Sequence, residues 1–201
     1  MKRLPSNILN FARALTFLSI PLSAANVQVP GIPNFHQVND HIYRGGQPTE
    51  ESLSHLARLG VKTVVDLRRD GEGGEPSREA EAQAVRAAGM RYIGVPMKGA
   101  PAGPTNEQMA KVLEVLDSGQ PVFVHCKAGK DRTGTVIACY RIKHDHWESK
   151  KALDEAKVHG IHWYEFGMKA YIRSFDPNSP AADPKNPQWP AAKPLAGVAA
   201  Q

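Results

Sequence analysis

The chain reads HCKAGKDRTG at residues 125–134, and this stretch decides both the fold and the chemistry that the protein can support. It follows the sequence PVFV at residues 121–124, a β-branched and aromatic run that is typical of a buried strand. It leads into residues 133–142, which have helical spacing. The stretch therefore predicts a loop between a strand and a helix N-terminus, where unpaired N–H groups and the helix dipole favour an anion.

The residue types in this loop suit a thiolate that attacks phosphorus. The backbone amides of residues 127–132 are expected to point at the phosphate oxygens, and Gly129 lets the chain curl tightly enough for this. Arg132 supplies a planar fork that holds two oxygens at once. Cys126 is expected at the floor of this cup, where a helix N-terminus and nearby cations lower a cysteine pKa by ~1 to 5 units. The loop residues predicted to bind phosphate include Lys127, Ala128, Gly129 and Lys130.

The stretch resembles the signature loop of the cysteine-dependent phosphatases, the tyrosine and dual-specificity superfamily, which has the form His-Cys-(five residues)-Arg-(Ser/Thr). The matching positions are His125, Cys126, Gly129, Arg132 and Thr133. The resemblance implies a phosphomonoester hydrolase that acts through a phosphocysteine intermediate. We expect no cofactor and no metal, because the other histidines show no ligand spacing. In this interpretation His125 orders the loop and tunes the thiolate, and Thr133 donates its hydroxyl to the sulfur.

Two further stretches support the same resemblance. The sequences YRGGQPT at residues 43–49 and VVDLR at residues 64–68 are similar to those of compact bacterial tyrosine-phosphatase-like proteins and of the atypical dual-specificity group of plants and fungi. The similarity covers about residues 41–172. It implies that Arg44 and Arg68 either bind the phosphate or brace the loop, and a surface or structural ion-pair role is the alternative.

Hydrophobic spacing and capping residues predict an α/β fold, with a central, mostly parallel sheet of four to five strands flanked by helices in a three-layer sandwich. The strands are predicted at residues 41–44 (an edge strand), 61–67, 90–95 and 121–124. The helices are predicted at residues 49–59, 77–88, 105–116, 133–142, 149–158 and 163–175. Ligands bind beyond the carboxyl ends of the strands in such sheets, so the loops at 68–76, 96–104 and 126–132 should converge there.

The loop at residues 96–104 departs from the superfamily pattern. Dephosphorylation needs an acid that protonates the leaving oxygen, and most of the superfamily places an aspartate on a separate loop upstream of the cysteine. Here that loop reads PMKGAPAGP and has no aspartate. We predict Asp131, inside the catalytic loop, as the acid, with pairing to a neighbouring cation as its alternative role. Asp70 and Glu107 are the other candidates for the acid.

Lys127 and Lys130 leave the substrate open between two classes. The segment KAGK at residues 127–130 is similar to that of lipid phosphatases that act on phosphoinositides, where the two lysines meet ring phosphates. We predict a phosphorylated protein as substrate, of the phosphotyrosine or dual-specificity type, and keep inositol phosphates and phosphoinositides as the alternative. A rhodanese-like sulfurtransferase and a phosphate-binding module without turnover are minor alternatives.

The chain of 201 residues, 41% of them hydrophobic, suits one globular domain with tails. Residues 1–25 have the basic start, apolar stretch and small terminal residues of a signal peptide, with an N-terminal helix or anchor as the alternative. We therefore expect export to the periplasm or secretion, and a cytoplasmic location otherwise. The rest of the chain divides into a linker at 26–33, a phosphatase domain at 34–175 and a Pro-rich flexible tail at 176–201.

Charge and hydropathy give no reason to expect nucleic acid or a membrane span. Residues 1–25 hold three basic residues and no acidic one, so their removal lowers the net charge from +5 to +2. No run reaches the ~18 apolar residues of a spanning helix. We expect a monomer.

The only two cysteines are Cys126 and Cys139, which is not a disulfide framework. Helical geometry places Cys139 roughly 10 Å beyond Arg132. That separation exceeds the ~7 Å limit for a disulfide bond. We therefore expect no bond between Cys126 and Cys139, and predict that Cys139 belongs to the helix core.

Overall fold

The computed structural model describes residues 28–72 and 76–179. Within them the strands are β1 (His36–Gln37), β2 (Ile42–Gly45), β3 (Thr63–Asp66), β4 (Arg91–Gly94) and β5 (Val122–His125). The helices are α1 (Glu50–Arg58), α2 (Arg78–Ala87), α3 (Asn106–Leu116), α4 (Asp131–His144), α5 (Ser149–Val158) and α6 (Phe166–Ser174). Every strand and helix predicted from the sequence is present, and β1 is additional.

The strands form one sheet in the order β1-β2-β5-β3-β4, in which only the β1–β2 pair is antiparallel. β5 therefore lies at the centre, where His125 is flanked by Gly45 of β2 and by Asp66 of β3. The mostly parallel sheet is confirmed. The prediction that residues 41–44 form an edge strand is wrong, because β1 covers that edge.

A turn at Asn39 returns the chain from β1 to β2. The Asn39 side-chain oxygen accepts hydrogen bonds from the N–H groups of His41 and Ile42, at 3.1 and 2.8 Å. β1 itself has only 2 residues, which is too short to show the alternation of a strand. Sequence patterns therefore could not reveal the true edge of the sheet.

Helices cover both faces of the sheet, as predicted. Because neighbouring side chains of a strand point to opposite faces, Val64 and Phe123 pack with α1 and α2, whereas Val65 and Val124 pack with α3 and α4. α5 and α6 pack against α4 through a separate cluster that includes Leu153. The three-layer sandwich thus carries two extra helices beside α4.

Capping side chains fix the starts of three helices, and α4 differs from them. Thr49, Ser77 and Thr105 precede α1, α2 and α3, and each hydroxyl accepts a hydrogen bond from an N–H three residues further on. At α3 the side chain of Gln108 completes a capping box. Lys130, which precedes α4, makes no such bond. The N–H groups at the start of α4 are left open.

Parts of the predicted domain plan fall outside the described residues, namely the signal peptide at 1–25 and most of the tail at 176–201. The described part of the predicted linker, residues 28–33, packs onto the domain, because Val29 and Ile32 are buried beside α1. The packed chain therefore begins before Asn34. Among the described residues, no helix combines the length and the apolar character that crossing a membrane requires.

Candidate active site

The loop of residues 126–130 joins the centre of the sheet to α4. Cys126 directly follows β5 and is 2% exposed. Within the described chain, the N–H groups of residues 128–132 donate to no backbone carbonyl. These open groups, together with the positive end of α4, favour an anion beside the thiol.

The end of β2 supports this loop. Gly129 has a φ of 71°, in the left-handed region, and a Cβ on it would overlap the backbone of Gly45 and Gly46. The N–H of Gln47 donates to the carbonyl oxygen of Lys127 at 3.1 Å. Only glycine fits position 129 without strain, so contact with β2 sets the curl of the loop.

Arg44 lies beneath the loop and is 1% exposed. Its Nη2 donates to the Gly129 carbonyl oxygen at 2.7 Å, and the side chain of Asn34 donates to the same oxygen at 2.8 Å. Burial lowers the pKa of Arg44 to about 10, so it stays a cation at neutral pH, and its charge interacts with Cys126. Of the two roles predicted for Arg44, the contacts support bracing, and its charge adds to the field below the thiol.

A buried charge network holds the strand end that carries Cys126. Nε2 of His125 lies 2.8 Å from the Glu81 carboxylate, and its Nδ1 lies 3.3 Å from the carbonyl oxygen of Cys126. Arg68 donates to Asp66 at 2.8 Å and to Glu81 at 2.6 Å, in both cases through Nη2. The network therefore ties β5 to β3 and α2.

The network also favours the charged forms of its members. Burial lowers the pKa of His125, but Glu81, and after it Asp66, outweigh burial and raise the pKa above its ordinary value. Burial raises the pKa of Asp66, but His125 and then Arg68 together bring it down to about 2. The ion pair of Asp66 with Arg68 thus persists at neutral pH, and the neighbouring carboxylates favour the protonated form of His125.

Arg68 uses its donors inside this network. It is 2% exposed and donates in addition to the carbonyl oxygen of Pro76 at 2.9 Å. The structure therefore supports the bracing role predicted for Arg68 and not the phosphate-binding one. Asp66, Glu81 and His125 also offer ligand atoms within 4.8 Å of one another. The Arg68 guanidinium and the His125 ring already pair with the two carboxylates, so this cluster fits a metal ion poorly.

Arg132 is held by an acid that the sequence did not reveal. Its Nη1 and Nη2 donate to the two oxygens of Glu72, each at 2.5 Å, and its charge interacts with Cys126. Burial raises the pKa of Glu72, but the hydrogen bonds and charges of Arg132 and Arg69 together hold it below its ordinary value. Glu72 thus occupies the fork that the sequence predicts for phosphate oxygens.

Asp131, the predicted proton donor, turns its carboxylate toward the segment before α6. Its Oδ1 accepts a hydrogen bond from the backbone N–H of His162 at 2.7 Å, and Nδ1 of His162 lies 2.9 Å from both oxygens. The side chain of Asp70 is 77% exposed and pairs with Arg78. Glu107 lies in the first turn of α3, where it faces the helix dipole.

The other predicted residues surround the loop. Thr133 is buried and its hydroxyl lies 3.5 Å from the carbonyl oxygen of Gly45, at the limit of a hydrogen bond, so its donation to the sulfur stays a prediction. Lys127 is exposed, and Lys130 packs its alkyl chain beside Gly160.

Cys139 lies in the core of α4 and is fully buried. Burial raises the pKa of its thiol well above the ordinary value. The predicted core role of Cys139 is therefore confirmed, and both cysteines are free.

Besides Asp66 and Glu81 of the buried network, three acidic or basic residues near the loop were not predicted: Glu72, His162 and Glu165. Glu72 lies in a polar, Gly-rich loop, and the other two lie in the segment before α6. No spacing in the sequence relates them to residues 125–134. One signal was available, because the loop without an aspartate required an acid from elsewhere.

A thiol at the end of a central parallel strand, open N–H groups at the helix start and a guanidinium six residues further on define a cysteine-dependent phosphatase. Comparison with known proteins agrees. A family model described as "DSP-PTPase phosphatase fused to NAD+ Kinase" matches residues 27–173, and the chain belongs to this family.

Named relatives and solved structures fall in the same class. Inositol diphosphatase DSP5 of Arabidopsis thaliana is 29% identical over 150 residues, which cover 72% of this chain and 70% of the relative. The dual specificity protein phosphatase TpbA of Pseudomonas aeruginosa is 30% identical over 175 residues, which cover 78% and 73%. The crystal structure of the core catalytic domain of the PP-IP phosphatase SIW14 from S. cerevisiae matches with a TM-score of 0.63 and 26% identity, over 75% of this chain and 90% of that one. The predicted superfamily is confirmed.

Proposed function

We propose that this phosphatase uses Cys126 as its nucleophile, and Arg132 with the N–H groups of residues 128–132 as its phosphate ligands. One observation carries the proposal. Cys126 lies at the end of β5 below the open start of α4, where the charges of Arg44 and Arg132 both interact with its sulfur. Such positive surroundings attract a phosphate dianion to the sulfur.

In the first step the Cys126 sulfur attacks phosphorus, an S–P bond forms, and the P–O bond to the leaving group breaks. The leaving oxygen takes a proton from an acid. Arg132 and the loop N–H groups stabilise the charge on the three remaining oxygens. Glu72 has to share or release the Arg132 fork in this step.

In the second step water attacks the phosphocysteine and gives up a proton to a base. The S–P bond breaks, inorganic phosphate leaves, and the Cys126 thiolate returns. We assign the hydroxyl of Thr133 to the departing sulfur, which it reaches by leaving the weak contact with Gly45 at 3.5 Å. We assign His125 to holding the strand end, through its ion pair with Glu81 at 2.8 Å.

The exposed aromatic surface beside the catalytic loop favours phosphorylated proteins as substrates, so that the enzyme acts on phosphotyrosine alone or has dual specificity. Trp163, Tyr164 and Phe166 are exposed by 76%, 43% and 64% on the segment that His162 fastens to the catalytic loop. The ring of Tyr164 stacks on His162 at 5.1 Å. Exposed rings of this kind suit contact with aromatic and peptide groups. The relative TpbA is named a dual specificity protein phosphatase.

Inositol phosphates are the second candidate, favoured by the exposed Lys127 and by Lys130 at the edge of the loop. Two cations beside the phosphate cup attract a substrate that carries several phosphate groups. The relatives DSP5 and SIW14 are named an inositol diphosphatase and a PP-IP phosphatase.

Phosphate release from a substrate panel, with a chelator present, tests the proposal. The panel holds 4-nitrophenyl phosphate, phosphotyrosine and phosphoserine peptides, inositol polyphosphates and phosphoinositides. We expect release from the aryl phosphate and the phosphotyrosine peptide, and a loss of at least ~10³-fold in Cys126→Ser, because the nucleophile is gone.

Cys139→Ala is the matched control, since it removes the other thiol from the core and should keep the activity. Release that survives Cys126→Ser would contradict the proposed nucleophile. Faster turnover of inositol polyphosphates than of the phosphotyrosine peptide would show that inositol phosphates, the second candidate, are the preferred substrates.

A further inference from the structure

Glu165 lies between the catalytic loop and the loop that lacks the aspartate. It is the last residue before α6 and is 6% exposed. On one side its Oε1 lies 3.6 Å from the position of a Cβ on Gly99, in the loop at 96–104. On the other side the neighbouring His162 is fastened to Asp131 at 2.7 Å.

The first turn of α6 packs directly on the same upstream loop. A Cβ on Gly167 would overlap the carbonyl oxygens of Pro101 and Ala102, and one on Gly103 would lie 3.0 Å from the carbonyl oxygen of Gly167. Backbones approach this closely only where at least one of the two residues lacks a Cβ. The position of Glu165 relative to the upstream loop is therefore fixed.

The carboxyl group of Glu165 has an oxygen that its surroundings leave unpaired. Oε2 is buried and has no hydrogen-bond partner in the described part of the chain. An ionised carboxylate with a buried, unpaired oxygen is costly, and a protonated one is less so.

The surroundings of Glu165, taken together, also favour its protonated form. Burial, and after it the negative charge of Asp131, raise the pKa of Glu165 above its ordinary value. The N–H of Ala100 and the side chains of His162 and Arg132 act against this but do not reverse it. Glu165 thus retains its proton at higher pH than an ordinary glutamate, as a general acid requires.

We propose that Glu165 donates the proton to the leaving oxygen, in place of the aspartate that the loop at 96–104 lacks. This assignment rests on the phosphatase function proposed above. Asp131 then serves as a positioning residue, because its two oxygens are engaged by His162 and hold the segment that carries Glu165.

The proton balance closes over one turnover. In the first step the carboxyl proton of Glu165 moves to the leaving oxygen as the P–O bond breaks, and Glu165 becomes a carboxylate. In the second step the same carboxylate accepts a proton from the attacking water as the S–P bond breaks. The acid form is thereby restored.

Glu165→Gln tests the assignment on phenyl phosphate and 4-nitrophenyl phosphate. Glutamine keeps the size of the side chain but cannot act as a general acid. We expect kcat/KM on phenyl phosphate to fall by at least ~10²-fold, and on 4-nitrophenyl phosphate by less than ~10-fold, because 4-nitrophenolate departs without a proton. The basic limb of the pH profile on phenyl phosphate should disappear.

Glu148→Gln is the matched control, because Glu148 precedes α5 as Glu165 precedes α6, makes no capping bond and is exposed. It should leave both substrates unaffected. Glu165→Asp keeps an acid with a shorter reach and should give an intermediate loss on phenyl phosphate. It carries the test if Glu165→Gln does not fold.

Equal losses on the two substrates in the Glu165 variants would overturn the assignment. So would a leaving-group-dependent loss in Asp131→Asn together with none in Glu165→Gln. If the unmodified chain releases no phosphate, or if Cys126→Ser still releases it, the proposed function fails instead, and the two failures are distinguishable.

Discussion

In the free enzyme, Nη1 and Nη2 of Arg132 donate to Glu72 at 2.5 Å each, although the same atoms have to bind phosphate oxygens during turnover. Glu72 keeps the guanidinium oriented toward the loop. Its negative charge also repels an incoming dianion. Orientation and affinity therefore oppose each other at this one residue.

Glu72→Gln should separate the two effects. We expect inorganic phosphate to inhibit the variant about 3- to 10-fold more tightly, because a like charge is removed from the pocket. We expect kcat to fall, because a neutral amide holds Arg132 less firmly. Inhibition constants and kcat on 4-nitrophenyl phosphate measure both quantities.

Asp70→Asn controls for the charge change in the same loop, since the Asp70 side chain is 77% exposed and pairs with Arg78. Its inhibition constant should change less than about 2-fold, as for a screened surface charge. Weaker phosphate inhibition in Glu72→Gln would contradict the expectation and show that orientation dominates.

The sequence placed Cys126, Arg132 and the loop glycine because their roles depend on spacing within ten residues. The sequence did not indicate that Glu72 and Glu165 belong to the site, because they reach the loop only through tertiary contacts. Their chemistry depends on burial and on the charge of a neighbour, which no local pattern encodes. The missing aspartate at 96–104 signalled that an acid was needed, but not which one.

The catalytic loop and β2 fit together through glycines on both sides. Gly129 needs its positive φ, and its Cα faces the backbone of Gly45 and Gly46 without room for a Cβ. The N–H of Gly46 in turn donates to the carbonyl oxygen of Pro33 at 2.6 Å, which fixes the strand end. A displacement of the loop therefore has to move β2 or the loop's own amides.

Gly129→Ala should lower the free energy of unfolding by more than a positive φ alone would explain. We expect a loss of about 1–2 kcal/mol from the left-handed backbone, a further loss of about 1–3 kcal/mol from the forced displacement, and weaker phosphate binding. Gly71→Ala is the control, since Gly71 has a φ of 68° and nothing within 4 Å of its Cβ position. Urea unfolding and phosphate inhibition compare the two, and equal effects would rule out the packing contact as the cause.

At the level of elements, prediction succeeded where side chains signal locally. Thr105 and Gln108 form a capping box at the start of α3, and Gly60, with a φ of 86°, follows the end of α1, so both helix ends lie where the predicted ranges placed them. β1 failed because its two residues form a strand only by pairing with β2. Pairing partners come from the fold and not from the segment.

Across the whole molecule, positive groups collect on the side of the catalytic loop that holds His159. The ring of His159 meets that of His36 edge-on at 4.4 Å. Burial lowers the pKa of His159 to about 4, and Arg44, His36 and Arg141 add to this in that order. The folded protein therefore prefers a neutral His159.

Acid should weaken the fold through this residue. The unfolded chain takes up the proton near pH 6.5, whereas the folded state resists it until about pH 4. The stability from a neutral His159 is thus full above pH 6.5 and lost as the pH falls to about 4. Between pH 7 and pH 4.5, the free energy of unfolding of His159→Asn should fall by about 1–2 kcal/mol less than that of the unmodified chain. The difference is this small because His159 is only partly buried.

Urea unfolding at the two pH values measures the difference. His146→Asn is the control, because His146 is exposed and its φ of 54° is one that asparagine tolerates. An acid loss in His159→Asn as large as in the unmodified chain would place the sensitivity in other groups.

The place of β5 as the third of five strands has a consequence for how the enzyme fails. Local opening of a sheet starts at its margins, here β1 and β4, whereas a central strand exchanges its amide hydrogens only when the whole domain opens. The nucleophile follows directly on that strand. Heat inactivation should therefore coincide with global unfolding, and fraying at the margins should leave catalysis intact.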